Sequence, residues 1–375
     1  DGNGYGDFYY APPSGYLSLC TQNLATVLSP TIDDGSAYFH TQLYTGTGST
    51  NAVTNDANAG DFKPDWLWIK ERNNATNHPI HDSSRGSTKY LHSNLTNAEA
   101  DSSTTVQSFD TNGFTLGTAN SWNGSSDTYV AWQWKANGGT TSSNTDGSIT
   151  STVQANTEAG FSIITYAGNS TTGETFGHGL GVSPAMFIIK DRSGAANWVT
   201  WNKNLPTNYN VYLNTTDAQF SAGGFAGMGV TSSVIQLPTG GTNSVNTSGQ
   251  NYVCYVFAEI EGYSKFGSYT GNGSTDGPFV YTGFRPSFVI VKRTDSTASW
   301  YITDNKREGF NPENDELLAD TSNAEVSFDR FDILSNGFKN RVAFSGSNAS
   351  GGTYIYMAFA ENPFVSSGAV PVTAR

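Results

Sequence analysis

Two cysteines in 375 residues, Cys20 and Cys254, cannot build a disulfide framework, and Cys254 sits inside the apolar run Tyr252-Val253-Cys254-Tyr255-Val256-Phe257. Stability therefore has to come from packing. Charge is scarce as well: Asp, Glu, Lys and Arg make up 14% of the chain, with a net charge of −13 and an isoelectric point near 4.7. That balance speaks against a nucleic-acid partner, because a phosphate backbone demands clustered Lys and Arg. No stretch approaches the roughly 20 apolar residues that a membrane-spanning helix needs, and no basic segment followed by an apolar one reads as a signal peptide, so no membrane partner is expected. Helical periodicity is nearly absent; its best stretch, Asn314-Asp315-Glu316-Leu317-Leu318-Ala319, has room for one turn. Also missing are a Gly-x-Ser-x-Gly elbow and a Gly-Lys-Ser/Thr phosphate cradle. No catalytic residue and no cofactor is assigned, and the chain reads as a protein that is not an enzyme.

What is present is aromatic and turn-forming: 22 Phe, 19 Tyr and 8 Trp stand beside 41 Gly, a composition of short strands and tight turns with ample material for a core. One pattern occurs three times. A Pro, one spacer, four apolar residues and a Lys run from Pro64 to Lys70, from Pro184 to Lys190 and from Pro286 to Lys292. Proline belongs at a strand's first residue, and so short an apolar run predicts a strand buried on both faces. A ring residue follows each Lys at fixed spacing, His78, Trp198 or Trp300, and then Asp82, Asn202 or Asp304. Asn112-Gly113-Phe114 and Asn336-Gly337-Phe338 predict hairpins in the first and third copies. Each copy closes on an apolar strand that starts at Tyr129, Tyr252 or Tyr354.

The copies recur about a hundred residues apart, the size of one β-sandwich. The fold class is therefore all-β: three tandem antiparallel β-sandwich repeats of jelly-roll or lectin-like kind, joined by short linkers. Residues 1–37 read as the end of an upstream domain plus linker, 38–138 as the first repeat, 139–145 as a flexible linker, 146–262 as the second repeat, 263–364 as the third and 365–375 as a tail. The Gly/Ser/Thr composition around 136–147 predicts a freely placed first repeat, and the tight junction from Glu259 to Lys265 predicts close packing of the other two. Starting at Asp1 in mid-pattern, the sequence reads as part of a longer polypeptide.

Trp66 with Trp68 and Trp132 with Trp134 stand at i and i+2, where a two-layer fold places its core. Trp122, in the turn-like Asn120-Ser121-Trp122-Asn123-Gly124, reads instead as an exposed aromatic, and Trp122 with Asn123 is the candidate ligand-binding pair. His78, His81 and His92 with Asp82 crowd one segment but lack a metal spacing, and Asp33-Asp34 and the run from Asn311 to Glu316 lack the spacing of a calcium loop, so no metal is assigned.

Three segments carry a resemblance: Phe8-Tyr9-Tyr10-Ala11-Pro12-Pro13-Ser14-Gly15-Tyr16-Leu17-Ser18-Leu19-Cys20, the three Pro-to-Lys anchors, and Met357-Ala358-Phe359-Ala360-Glu361-Asn362-Pro363-Phe364. Together they resemble the repeated β-domains at the C-terminal end of tail-fibre and tail-associated virion proteins of tailed phages of marine bacteria and cyanobacteria, following a SPRY-type or lectin-like segment. The resemblance implies a location in a virion and a lectin-like fold, and so an external fibre or appendage with other virion proteins as partners; loops rich in Tyr, Asn, Ser and Gly suit a host-surface polysaccharide as ligand, and analogy with fibres favours a homo-oligomer, a trimer. The resemblance supplies no catalytic residues. A capsid decoration or head fibre of purely structural role and a glycan-cleaving appendage are the alternatives.

Overall fold

A computed structural model of the chain describes residues 34–56, 60–221, 226–239 and 243–363, with Ile32 and a few positions nearer the start. Most of the expected upstream segment and the tail at 365–375 lie outside the described residues. The chain is all-β, with several antiparallel sheets. The three anchors form strands at Trp66–Glu71, Met186–Asp191 and Phe284–Arg293, and from Trp66, Met186 or Phe288 to the anchor Lys each is buried throughout. Pro64 and Pro184 precede their strands, whereas Pro286 lies within one; lacking an N–H, it sits where the ladder to Thr353–Pro363 shifts register on either side.

In each copy the anchor strand pairs with the closing strand (Thr128–Trp134, Asn251–Phe257 or Thr353–Pro363). The closing strand in turn pairs with an opening strand at Phe39–Thr45, Phe161–Ala167 or Ser264–Thr270. Side chains along the anchor strand alternate between two interiors. Leu67 and Ile69 of copy 1, Phe187 and Ile189 of copy 2 and Val289 and Val291 of copy 3 face three separate local cores. A smaller outer layer completes each: Val53 and Phe114, Phe176 and Ile235, Val280 and Phe338. The two Asn-Gly hairpins form as expected. A Cβ on Gly113 or Gly337 would lie about 2 Å from the carbonyl oxygen of Val53 or Val280, so only glycine lets the outer strands approach.

The other face of every anchor strand packs into one interior shared by all three copies. Trp66, Trp132 and Trp134 meet Tyr255, Phe257, Phe288 and Phe359 there. Trp66 lies 4.7 Å from Tyr255, Trp134 5.6 Å from both Phe288 and Phe359, and Phe257 6.0 Å from Phe359, centroid to centroid. The expectation of a freely placed first repeat is corrected by this: Trp66, Trp132 and Trp134 are buried against rings of copies 2 and 3. The linker at 139–145 is corrected too. Gly138 and Gly139 donate their N–H groups to Asp65 and Gln154, and Ser142–Asn144 pairs with Ser151–Asn156. Asn314–Ala319 is no helical turn: Glu313–Leu318 is a strand, with Leu317 opposite Ile302. Among the described residues, sequence missed single α-helical turns at Asn120–Asn123 and Ser345–Asn348 and 3-10 turns at Gly35–Ala37 and Asn243–Val245.

One contact, made three times, closes the copies into a ring. The Glu99 N–H of copy 1 donates to Arg192 O of copy 2 at 2.9 Å, Gln219 of copy 2 to Thr294 O of copy 3 at 2.8 Å, and Glu325 of copy 3 back to Arg72 O of copy 1 at 2.8 Å. Head-to-tail contacts whose rotation closes leave no end unsatisfied. At two seams the side chains add charge. Glu99 takes Arg192 at 2.9 Å and Arg85 at 2.8 Å, and Arg85 also holds Asp82. Glu325 takes Arg72 at 2.7 Å and Arg307 at 2.8 Å, and Arg307 also holds Asp304 at 2.7 Å. Burial pushes the Glu99 carboxyl up, but Arg192 and Arg85 outweigh it and hold the group below its ordinary value. A depressed folded-state value means that this stabilisation is complete above the ordinary carboxylate range and is lost as pH falls through the folded value. Glu99→Gln should therefore lower stability at pH 7 and flatten the acid limb below about pH 4.5, measured by urea titration across pH 3 to 7.

Candidate functional site

Trp122 and Asn123, expected as an exposed pair, are both buried. Trp122 is 7% exposed, and its Nε1 donates to His81 Nε2 at 2.9 Å while its ring packs in the local core of copy 1. The Asn-Ser-Trp-Asn-Gly composition reads as an open loop, but the segment is a helical turn with that indole folded under it. Asn123 is fully buried and clamps the neighbouring loop: its Oδ1 accepts from Thr47 N at 2.8 Å and its Nδ2 donates to Gly117 O at 2.7 Å. Asn246 and Asn348 repeat the clamp, accepting from Asn169 N at 2.9 Å and Asn272 N at 2.8 Å. Beside each, two tyrosines stack: Tyr44 on Tyr129 at 4.9 Å, Tyr166 on Tyr252 at 5.0 Å and Tyr269 on Tyr354 at 4.8 Å. Each Asn stands six residues before its closing Tyr, a spacing that could have marked it as structural.

The anchor lysines are also internal. Lys70 Nζ donates to Glu71 O at 2.6 Å and Asn74 O at 3.1 Å; Lys190 reaches Asp191 O at 2.7 Å and crosses the seam to Thr96 O at 3.1 Å; Lys292 crosses to Thr215 O at 3.4 Å and meets Ala298 O. Burial pushes all three ammonium groups down to about 8. His78, like Trp198 and Trp300, is buried at a seam, and desolvation keeps it neutral. Among the described residues no three His, Cys, Asp or Glu side chains converge on a metal position. A recess between copies 1 and 3, lined by Phe39, His40, Thr41, Ser287, Asn305 and Lys306, has room for about one water molecule, too little for a sugar or a nucleotide.

The surface that stands out lies on copy 3. Among the described residues of the three copies, seven large apolar side chains are exposed, and six of them belong to copy 3: Phe279, Tyr281, Phe310, Val326, Phe328 and Phe344. The other two copies serve as controls, because the same framework folds there without these side chains. At one corner Arg330 is buried among three rings, its guanidinium carbon 4.0 Å from the Tyr301 centroid, 4.4 Å from Phe344 and 4.7 Å from Phe328. Glu316 pairs with Arg330 Nε, and Nη1 donates to Ser347 Oγ at 3.1 Å, so the charge is spent inside and holds the rings in place. Phe328 and Phe344, 5.6 Å apart, remain 39% and 37% exposed, with Arg293 donating to Ser345 O and to Asp295 beside them. In copy 1 the places of Tyr301 and Phe344 are taken by Pro79 and Ala119. Two rings, each over a third exposed, with a charged pair at their rim can pack against the apolar face of a ligand and bind its hydroxyls.

Fold and corner together define an all-β chain of antiparallel sheets closed around a common aromatic core, with bare rings on one copy. The chain belongs to the family described as a domain of unknown function (DUF7483), whose model matches residues 34–363. No curated protein and no solved structure matches it.

Proposed function

We propose that the chain is a structural protein of a phage particle, an external fibre or appendage in which three lectin-like sandwich repeats, fused into one ring, recognise a polysaccharide on the host surface. The observation that carries the binding role is the corner of copy 3, where Phe328 and Phe344 are bare while their counterpart surface in copy 1 is small and non-aromatic. Placement on a virion rests on the resemblance of the anchors and of the flanking segments. Several rings on one particle, in a homo-oligomer with a trimer favoured, would turn weak sugar contacts into firm attachment by avidity.

The test is binding of the purified chain to host cells and to their extracted polysaccharide. Phe344→Ala and Phe328→Ala should each weaken binding by about tenfold, the loss of about 1.4 kcal/mol of stacking, measured at a temperature where each variant, having lost one ring over Arg330, is still fully folded. No polysaccharide binding by the wild-type chain would reject the receptor role. The second reading, a decoration whose work is attachment to other virion proteins, is favoured by a different feature of copy 3, the exposed Phe279 and Tyr281 of the strand Phe279–Tyr281.

A further inference from the structure

Three seams close the ring, and two of them are bonded alike. Between copies 1 and 2, Ala196 N donates to Thr96 O at 2.9 Å, Trp198 Nε1 to His92 O at 2.9 Å and Lys190 Nζ to Thr96 O at 3.1 Å. Between copies 2 and 3, Ala298 N donates to Thr216 O at 2.8 Å, Trp300 Nε1 to Tyr212 O at 2.9 Å and Lys292 Nζ to Thr215 O at 3.4 Å. The seam between copies 3 and 1 has none of these bonds among the described residues. Thr76 and Ser322 stand at the matching positions, but no main-chain bond joins them, and the Thr76 hydroxyl is buried without a partner. Lys70 Nζ turns to Glu71 O and Asn74 O of its own copy. In place of the indole stands His78, fully buried, and neither of its ring nitrogens closes a hydrogen bond. Besides the Glu325 main-chain bond, this seam is held by Ser93 Oγ on Ala319 O at 2.9 Å, by Arg72 on Glu325 and Asp315, and by Trp132 Nε1 on Asp304 at 3.0 Å. Copies 1 and 3 are not consecutive in the chain, so no linker backs these contacts.

We propose that the seam between copies 3 and 1 is a clasp, at which the ring opens in mild acid when the His78 imidazole takes a proton. Burial is the largest obstacle to that proton while the seam is closed, and the neighbours add to it. Lys70 on the anchor strand, His92 on the strand Lys89–His92 and Arg307 of copy 3 all oppose a positive charge there; the Thr321 main chain alone favours one. The Trp68 ring, 6.3 Å from the imidazole, brings no counter-charge, and the carboxylates of Asp304 and Glu325 are already taken by Arg307. Once the seam opens, the imidazole regains water and its ordinary value of 6.5. The closed ring therefore binds fewer protons than the open one, and below that value each pH unit favours the open form by a further factor of about ten. His40, the other imidazole between copies 1 and 3, has Asp56 at 2.8 Å to receive its charge, so its protonation does not force the copies apart.

Hydrogen exchange on the whole chain tests this, because the equivalent amides of Glu99, Gln219 and Glu325 each report one seam. Ratios among them cancel the pH dependence of the chemical step. Between pH 7 and pH 5 the protection of Glu325 should fall about twentyfold more than that of Glu99 and Gln219. His78→Trp, which sets the residue of the other two seams opposite Leu318 O, should remove that extra loss and raise Glu325 to the protection of its counterparts. His78→Phe, a ring that cannot titrate, should remove the extra loss without the added protection. The wild-type ratios decide even if neither variant folds: Glu325 protection that stays level, or three protections that fall together, overturns the proposal. An extra loss that persists in a folded His78→Phe chain overturns it as well. None of these outcomes depends on whether Phe328 and Phe344 bind sugar.

Discussion

Trp134→Ala should lower the unfolding free energy of the whole chain by about 3–5 kcal/mol in one transition. The residue belongs to copy 1, yet its indole touches Phe39 of its own copy at 4.8 Å, Phe257 of copy 2 at 6.5 Å and Phe288 and Phe359 of copy 3 at 5.6 Å. If each copy were a self-contained domain, the substitution would split a denaturation curve into an early step for copy 1 and unshifted steps for the others. A shared interior gives another result. The void opens where all three inner sheets meet, so tryptophan fluorescence and a probe in copy 3, such as exchange of the Ile355 amide, should shift together. Separate midpoints would show that the common core contributes little and that the local cores hold the copies up one by one.

Local patterns carried most of the strands into view. Four apolar residues between Pro and Lys can only be a strand with both faces covered, and Trp66, Met186 and Phe288 each begin such a stretch. The Asn-Gly pairs fixed two hairpins because the glycine conformation is a local demand. What covers the second face is not local. Trp132 and Trp134 were expected in a core, but their neighbours Phe288 and Phe359 lie far along the chain and no periodicity announces the meeting. The same limit hid the corner of copy 3. Phe344 looks like any buried aromatic until the framework shows Ala119 in its place in copy 1. Trp122 erred in the opposite direction: loop-like neighbours suggested exposure, whereas His81, from a strand forty residues earlier, supplies the acceptor that lets the indole be buried.

Arg307→Ala should cost about 3–5 kcal/mol, because it strands Asp304 and Glu325 without their buried partner. The guanidinium is fully enclosed: it bonds Asp304 at 2.7 Å, Glu325 at 2.8 Å and Ile302 O at 3.0 Å. The molecule also contains the remedy. Where the seam between copies 1 and 2 has Asp82, Arg85, Glu99 and Arg192, and that between copies 3 and 1 has Asp304, Arg307, Glu325 and Arg72, the seam between copies 2 and 3 has Asn202, Leu205, Gln219 and Thr294. The group facing this set changes with it. Tyr255 donates to Asp82 at 2.7 Å and Trp132 to Asp304 at 3.0 Å, but the counterpart on the third seam is Met357, which has no donor. Within this set of positions a seam is thus either charged or neutral. Charge fixes the pairing geometry without being required for cohesion, as expected where desolvation offsets Coulombic gain. Transplanting the neutral set as Asp304→Asn, Arg307→Leu, Glu325→Gln and Arg72→Thr should recover most of what Arg307→Ala loses, to within about 2 kcal/mol of the wild type, since the Asn amide oxygen still accepts from Trp132. Urea denaturation of the two variants side by side decides it. A quadruple variant as weak as Arg307→Ala would mean that this seam depends on its charges and that the neutral seam survives by some other contact.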